Sequence, residues 1–332
     1  MGYSVGIGLT NDCNLNCAHC YRDTTQIDAI SLEQVKQICQ ALPVEAMGMG
    51  TGESSLHPEF VPIVHYLYKQ GIKLSMASNG YTLTTVPDDV LQAFHDVEVS
   101  IDFASQAEHD AWRGTGNWTL VHQAMERCHT LGVEVSILAT LMRTNYSQMR
   151  GLVLLARRNG AALRVNAYQA VKTGAYRPTY EQFWEAYRQL FSEGLVVSCS
   201  EPVVRAAMGL DQVQSPCGQR SIRFNPRGQI IPCVYWPLAS DSDHMPRIED
   251  LPRLGEAALD SDAFRAARLE PLSAQACPCR GGCASRRALN GQLDAHDDYC
   301  PWVRGDTVVL DWRPAPARDL MRSSNVCTTV VV

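Results

Sequence analysis

Short apolar runs rich in β-branched residues alternate with amphipathic stretches through the first half of the chain, and no other feature narrows the possible folds as far. The runs lie at 3–9, 44–49, 72–77, 97–103, 133–141 and 162–168 and have the length and composition of strands. Between them, stretches near 32–42, 58–70, 87–95, 118–131 and 146–158 are each long enough for a crossover helix. Ser31, followed three residues on by Gln34, reads as a capping box that opens the first of these helices. Such alternation implies a parallel sheet covered by helices, and six units are too few for a full eight-stranded barrel. With 332 residues, 45% of them apolar, the chain has material for one large domain and a smaller one.

Directly after the first run, at the strand end where open α/β folds keep their chemistry, stand Cys13, Cys17 and Cys20 in LTNDCNLNCAHCY. Three thiolates on one short loop are one too few for a closed four-ligand site. On an iron–sulfur cluster they leave one iron open to a ligand. The C-x3-C-x2-C spacing also falls among zinc-like spacings, with His19 as a fourth ligand. The N-terminus has no signal-like segment, and no apolar run reaches the roughly 18 residues of a membrane span. Thirteen cysteines in such a chain favour metal ligation over disulfides, and a cytoplasmic protein with no membrane partner is expected. A net charge of −6 provides no basic footprint for nucleic acid.

Later strand ends carry polar groups at the same rim. The second strand runs into Met49-Gly50-Thr51-Gly52-Glu53-Ser54, where small residues let backbone approach a ligand and the carboxylate beyond can accept from an ammonium group. The third ends in Ser78-Asn79-Gly80. The fourth ends in Val99-Ser100-Ile101-Asp102, which on strand geometry turns a hydroxyl and a carboxylate to one face, suited to ribose hydroxyls. Together with the cysteine loop, in which His19 takes the place of an aromatic residue, these elements resemble the radical SAM superfamily. The resemblance implies a curved, partial (β/α)6 barrel of the TIM type and a [4Fe-4S] cluster on Cys13, Cys17 and Cys20. Its open iron would chelate the amino and carboxylate groups of S-adenosyl-L-methionine. The cofactor site it implies comprises Gly52 and Glu53 at the methionyl amino group and Asn79, Ser100 and Asp102 around the adenosyl group. Ser136 and Asn145, with Arg164 and Asn166, are candidates for the cofactor carboxylate or ribose. Thr51 and Ser54 replace the first Gly and the Pro of the family's GGEP loop.

A second cysteine array begins at Cys217, continues through Asn225-Pro226-Arg227-Gly228 to Cys233, and closes with Cys277, Cys279, Cys283 and Cys300. Its layout resembles the SPASM or twitch auxiliary domain. The middle departs from that pattern, offering C-x-C-x3-C where the full array has C-x2-C-x5-C-x3-C, one cysteine short. One auxiliary [4Fe-4S] cluster on Cys217, Cys233, Cys283 and one of Cys277 or Cys279 is the leading arrangement, with two clusters as the alternative. The division expected is a barrel over 1–170, a helical linker over 171–212, a small α+β iron–sulfur domain over 213–305 and a tail over 306–332.

The resemblance implies reductive cleavage of S-adenosyl-L-methionine to a 5′-deoxyadenosyl radical that abstracts hydrogen, served by a flavodoxin- or ferredoxin-type reductant. The chain starts at strand one, without the winged-helix domain of many peptide-modifying relatives. That favours a small-molecule substrate, a sugar, aminoglycoside or nucleoside undergoing oxidation or epimerisation, over thioether or carbon–carbon cross-linking of a ribosomal peptide. Cys199 is the candidate hydrogen donor of an epimerase. The tail from Ser323 to Val332, with its β-branched run, is expected to pair with a sheet edge or plug a cleft, the alternative being that Cys327 reaches a cluster or mimics a peptide substrate. The aromatic set Tyr176, Tyr180, Phe183, Trp184, Tyr187 and Phe191 has helical spacing and reads as core. A non-catalytic metal-binding scaffold or an electron-transfer protein would explain the cysteines but not the cofactor loops.

Overall fold

The structure is a computed structural model, described here for residues 2–193, 196–198, 201–210, 217–219, 221–237, 245–271, 277–312 and 328–331. Six strands, β1 (Tyr3–Thr10), β2 (Val44–Thr51), β3 (Lys73–Ser78), β4 (Asp96–Ser100), β5 (Glu134–Leu141) and β6 (Ala162–Ala167), lie side by side in sequence order and are parallel throughout. Beyond β1 the sheet continues with β8 (Ser221–Phe224), parallel to it, and β9 (Ile230–Ile231), which turns back on β8. Beyond β6 it continues with β10 (Thr328–Val331), antiparallel to β6 and to β7 (Val196–Ser198). The expected partial barrel is present, and the tail segment is a strand within its sheet.

Period-two patterning explains why the barrel is hollow at one end. In β1, Val5, Ile7 and Leu9 enter the apolar core while Gly6 and Gly8 turn inward; in β2, Met47 and Met49 do the same while Gly48 and Gly50 turn inward. A Cβ on Gly6 would run into the Arg223 side chain, and one on Gly50 would meet nothing. The crossover helices include α1 (Leu32–Ala41), α2 (Phe60–Lys69) and α3 (Tyr81–Thr85), then α4 (Asp88–Gln92), α5 (Gln106–Arg113), α6 (Asn117–Thr130) and α7 (Met149–Arg158). The capping box of α1 is formed: Gln34 N donates to Ser31 Oγ and Ser31 N to Gln34 Oε1. The helices α3 and α5 were not foreseen from the pattern, being short and polar.

The aromatic helix α8 (Tyr180–Phe191) fastens the last cysteines to the barrel. Phe183 stacks on Tyr299 with ring centroids 4.0 Å apart, Trp184 Nε1 donates to the Tyr299 carbonyl at 3.0 Å, and Tyr180 OH donates to Asp306 at 2.7 Å. Beside Tyr299 the buried Arg286 guanidinium is held by Asp297 and Glu201. No helix among the described residues is long and apolar enough to cross a membrane.

Candidate active site with cysteines at one cavity

The loop that carries Cys13, Cys17 and Cys20 is clamped by its own polar side chains. Asn11 Nδ2 donates to the carbonyls of Asp23 and Gln26, and its Oδ1 accepts from Asp28 N. Arg22 reaches back to the carbonyls of Asn11 and Leu15 at 2.8 and 2.5 Å. From outside, Arg227 on the β8–β9 turn pairs with Asp23 and Asp28. Cys13 Sγ receives Leu15 N at 3.5 Å and Asn79 Nδ2 at 3.6 Å. Burial raises the Cys13 and Cys17 thiols above their ordinary range, so loading with metal would release protons. His19 is excluded as a ligand: Nδ1 accepts from Trp112 Nε1 at 2.8 Å, and Nε2 faces Asp102 at 3.6 Å.

The β2 loop is stitched to this one. Gly52 N donates to Thr10 O and Glu53 N to Asp12 O, and a Cβ on Gly52 would enter those same backbone atoms. The backbone approach at Gly52 is therefore to the cysteine loop. Thr51, at φ 86°, is a β-branched residue in the left-handed region, and its Oγ1 meets Tyr21 OH at 3.2 Å.

Several sequence expectations need correction. The Glu53 carboxylate lines the cavity and also accepts from Ser78 Oγ, Asn79 N and Thr82 N, so it organises the end of β3 as well. β4 ends at Ser100, and only Ser100 of its pair lines the cavity. Asp102 has left the strand; it accepts from Arg113 Nε and Thr140 N, and though burial opposes its charge, Arg113 and His19 hold its pKa below the ordinary value. Asn145 is spent on the carbonyls of Asp102 and Thr140. Ser136 lies buried within β5, its hydroxyl without a partner and away from the cavity lining. Arg164 does face the cavity, paired with buried Glu98. Cys199 and Cys327 lie outside the described residues.

The cavity, about 290 Å³, is walled by Cys13, Cys17 and Cys20 and also by Cys217, Cys233 and Cys283. Tyr21, Glu98, Glu201, Arg223 and Tyr235 also line it and were not foreseen from the sequence. Glu98 and Arg223 had a signal: a charge flanked on both sides by apolar strand residues, Val97 and Val99 in β4 and Ile222 and Phe224 in β8. Ser285 Oγ bridges Cys233 and Cys283 Sγ at 3.6 and 3.2 Å. The Cys233 thiol is pushed down to about 6, first by its hydrogen bond with Cys217, then by Ser285 and the Arg223 charge among other contacts. Cys277 and Cys279 do not join this group. Their sulfurs lie 3.0 Å apart and within 3.3 and 3.1 Å of Cys300, off the cavity lining. The reason is local: Arg280, Gly281 and Gly282 all take positive φ and reverse the chain between Cys279 and Cys283.

A partial barrel with three cysteines after its first strand defines the class. Residues 7–156 match the Radical SAM superfamily, and the chain is a radical SAM enzyme. It is 28% identical over 355 aligned residues to the mycofactocin maturase MftC of Mycobacterium tuberculosis, covering 97% of this chain and 89% of the relative. It is 24% identical over 355 residues to the PqqA peptide cyclase of Xanthomonas euvesicatoria pv. vesicatoria, covering 95% and 93%. Its fold matches Streptococcus suis SuiB bound to S-adenosylmethionine with a TM-score of 0.71 at 12% identity, covering 90% of this chain and 77% of that one. These relatives overturn the expectation of a sugar, aminoglycoside or nucleoside substrate, since the two that are similar over nearly the whole chain are named a mycofactocin maturase and a PqqA peptide cyclase.

The cofactors are a [4Fe-4S] cluster with S-adenosyl-L-methionine and an auxiliary iron–sulfur cluster. The cavity fits them. Arg164 Nε, Asn166 Oδ1 and Gln169 Oε1 are buried on its wall without partners, as groups awaiting a polar ligand would be. The Cys217, Cys233 and Cys283 thiols face the same space with a cationic neighbour. The closely packed Cys277, Cys279 and Cys300 do not fit a four-iron cluster, whose thiolates each cap a different iron.

Proposed function

We propose that this protein is a radical SAM maturase that cross-links a ribosomally made peptide through a thioether or carbon–carbon bond. The observation that carries this reading is similarity over nearly the full chain to a mycofactocin maturase and a PqqA peptide cyclase. Cys13, Cys17 and Cys20 would hold the cluster that binds S-adenosyl-L-methionine, and Cys217, Cys233 and Cys283 the auxiliary cluster. Bound there, these groups supply reductive cleavage of the sulfonium, hydrogen abstraction from an unactivated C–H bond, and a place for the electron left on the substrate.

The chain's own residues position and exclude. Glu98 neutralises Arg164 and turns its unpartnered Nε to the cavity, where it suits a carboxylate. Asn166 and Gln169 offer acceptors for hydroxyl or amine donors. Tyr21, packed edge-on to Tyr235 at 5.1 Å, closes the wall between the two cysteine groups. Burial leads the causes that push Tyr21 up to about 12, so it stays a neutral hydrogen-bonding group.

The test is anaerobic turnover with dithionite and S-adenosyl-L-methionine, comparing a synthetic precursor peptide encoded beside the gene with free nucleosides and aminosugars. Mass spectrometry is expected to show the peptide losing two hydrogens, with fragmentation blocked across the linked span. An unchanged peptide alongside an oxidised nucleoside or sugar would overturn the reading.

A further inference from the structure

Outside the cavity, the three thiols of Cys277, Cys279 and Cys300 converge with a histidine. A ring nitrogen of His296 and the sulfurs of Cys277 and Cys300 all lie within 4.8 Å of one another. His296 Nδ1 is buried and has no hydrogen-bond partner, an unusual state for a half-buried imidazole. The Cys279 sulfur lies 3.0 Å from Cys277 and 3.1 Å from Cys300, on the far side of the pair from His296 and outside the 4.8 Å group that the histidine joins.

We infer that Cys277, Cys279, Cys300 and His296 form a closed Cys3His site for a single tetrahedral zinc ion, in place of a second auxiliary cluster. Zinc–sulfur bonds of about 2.3 Å in a tetrahedron set the sulfurs about 3.7 Å apart. The observed 3.0–3.3 Å between the sulfurs needs a slight opening to reach that spacing, and Cys279 and His296 close on one another to share the ion. Four irons would demand a much wider spread. Closure also suits the location. None of the three thiols lines the cavity, so an open coordination position there would meet no substrate. The ion would instead tie the 277–279 turn to the 296–300 segment, which carries Asp297 and Tyr299, the anchors for Arg286 and α8. The inference stands apart from the peptide reading, since it assigns a ligand set and not a substrate.

The test is elemental analysis of the full-length protein, purified anaerobically from cells supplied with both iron and zinc, then reconstituted with iron and sulfide. About eight irons, at four per cluster, and about one zinc per chain are expected. X-ray absorption at the zinc edge is expected to show three sulfurs and one nitrogen. His296→Ala should lose the zinc at constant iron. His296→Cys, which preserves four ligands should the alanine variant fail to fold, should keep it with four sulfurs around it. About twelve irons without zinc in the wild type overturns the assignment. So does a zinc shell that is unchanged by either substitution.

Discussion

Around Cys13, Cys17 and Cys20 the scaffold is complete without metal, built from parallel strands with apolar faces and from a loop whose Asn11 and Arg22 satisfy its carbonyls. Around Cys277, Cys279 and Cys300 the chain has little regular structure. There Arg286, Asp297 and Glu201, α8 and the thiols themselves do the holding. The first region orders ligands so that a cofactor can react; in the second, ligands order the chain. The same residue type therefore has opposite consequences when removed.

The largest effect that sharpens this contrast is expected from Cys13→Ala/Cys17→Ala/Cys20→Ala. 5′-Deoxyadenosine formation should fall to background and iron by about four per chain, with the circular-dichroism spectrum retained. Loss of the fold would erase the distinction. Next, Arg286→Ala leaves Asp297 and Glu201 buried without their cation, and about 3–5 kcal/mol of stability should go. Denaturant melts should show it, with hydrogen exchange rising first around 277–300. Gly52→Ala should cost about 1–3 kcal/mol by pushing apart the β2 and cysteine loops, and should weaken S-adenosyl-L-methionine binding by calorimetry. Thr51→Gly relieves a strained φ but takes from Tyr21 OH its Oγ1 partner, so the net change in the same melts should stay under about 1 kcal/mol.

The smallest effect concerns pH. Burial is the first cause holding His109 below its ordinary 6.5, and its Nε2 meets Asn117 Oδ1 at 2.9 Å. The unfolded chain then takes up the proton first. This contribution is whole above 6.5 and is lost as pH falls through the depressed folded value. His109→Gln should flatten the pH dependence of stability below 6.5, measured by urea titration; an unchanged slope would assign it to other groups.

Much of the barrel was legible because each strand and long helix carries its period within the residues themselves; β1 was expected over 3–9 and spans Tyr3–Thr10. The cysteine loop was legible for the same local reason. What failed depended on where strands end and chains turn. Alternation placed Ser100 and Asp102 on one face, but β4 stops at Ser100 and alternation says nothing beyond it. The leading arrangement grouped one of Cys277 or Cys279 with Cys283, but three positive-φ residues between Cys279 and Cys283 send them to different sites. The inward glycines Gly6, Gly8 and Gly48 were visible and went unread, because a missing side chain leaves no hydrophobic signal. The substrate class was misjudged from where the sequence begins, which constrains the cavity not at all.

The antiparallel pairing of β10 with β6 sets a schedule for biosynthesis. Thr329 lies opposite Arg164, and roughly 160 residues must be translated after β6 before that partner exists. At about 5–20 residues per second, β6 waits on the order of 10–30 s with one edge uncovered, while the rest of the parallel sheet can already form. For that interval the nascent chain presents a strand bearing an unshielded hydrogen-bonding edge to its neighbours on the polysome. Slow elongation through the second half of the message would lengthen the exposure, and the yield of folded protein should track it.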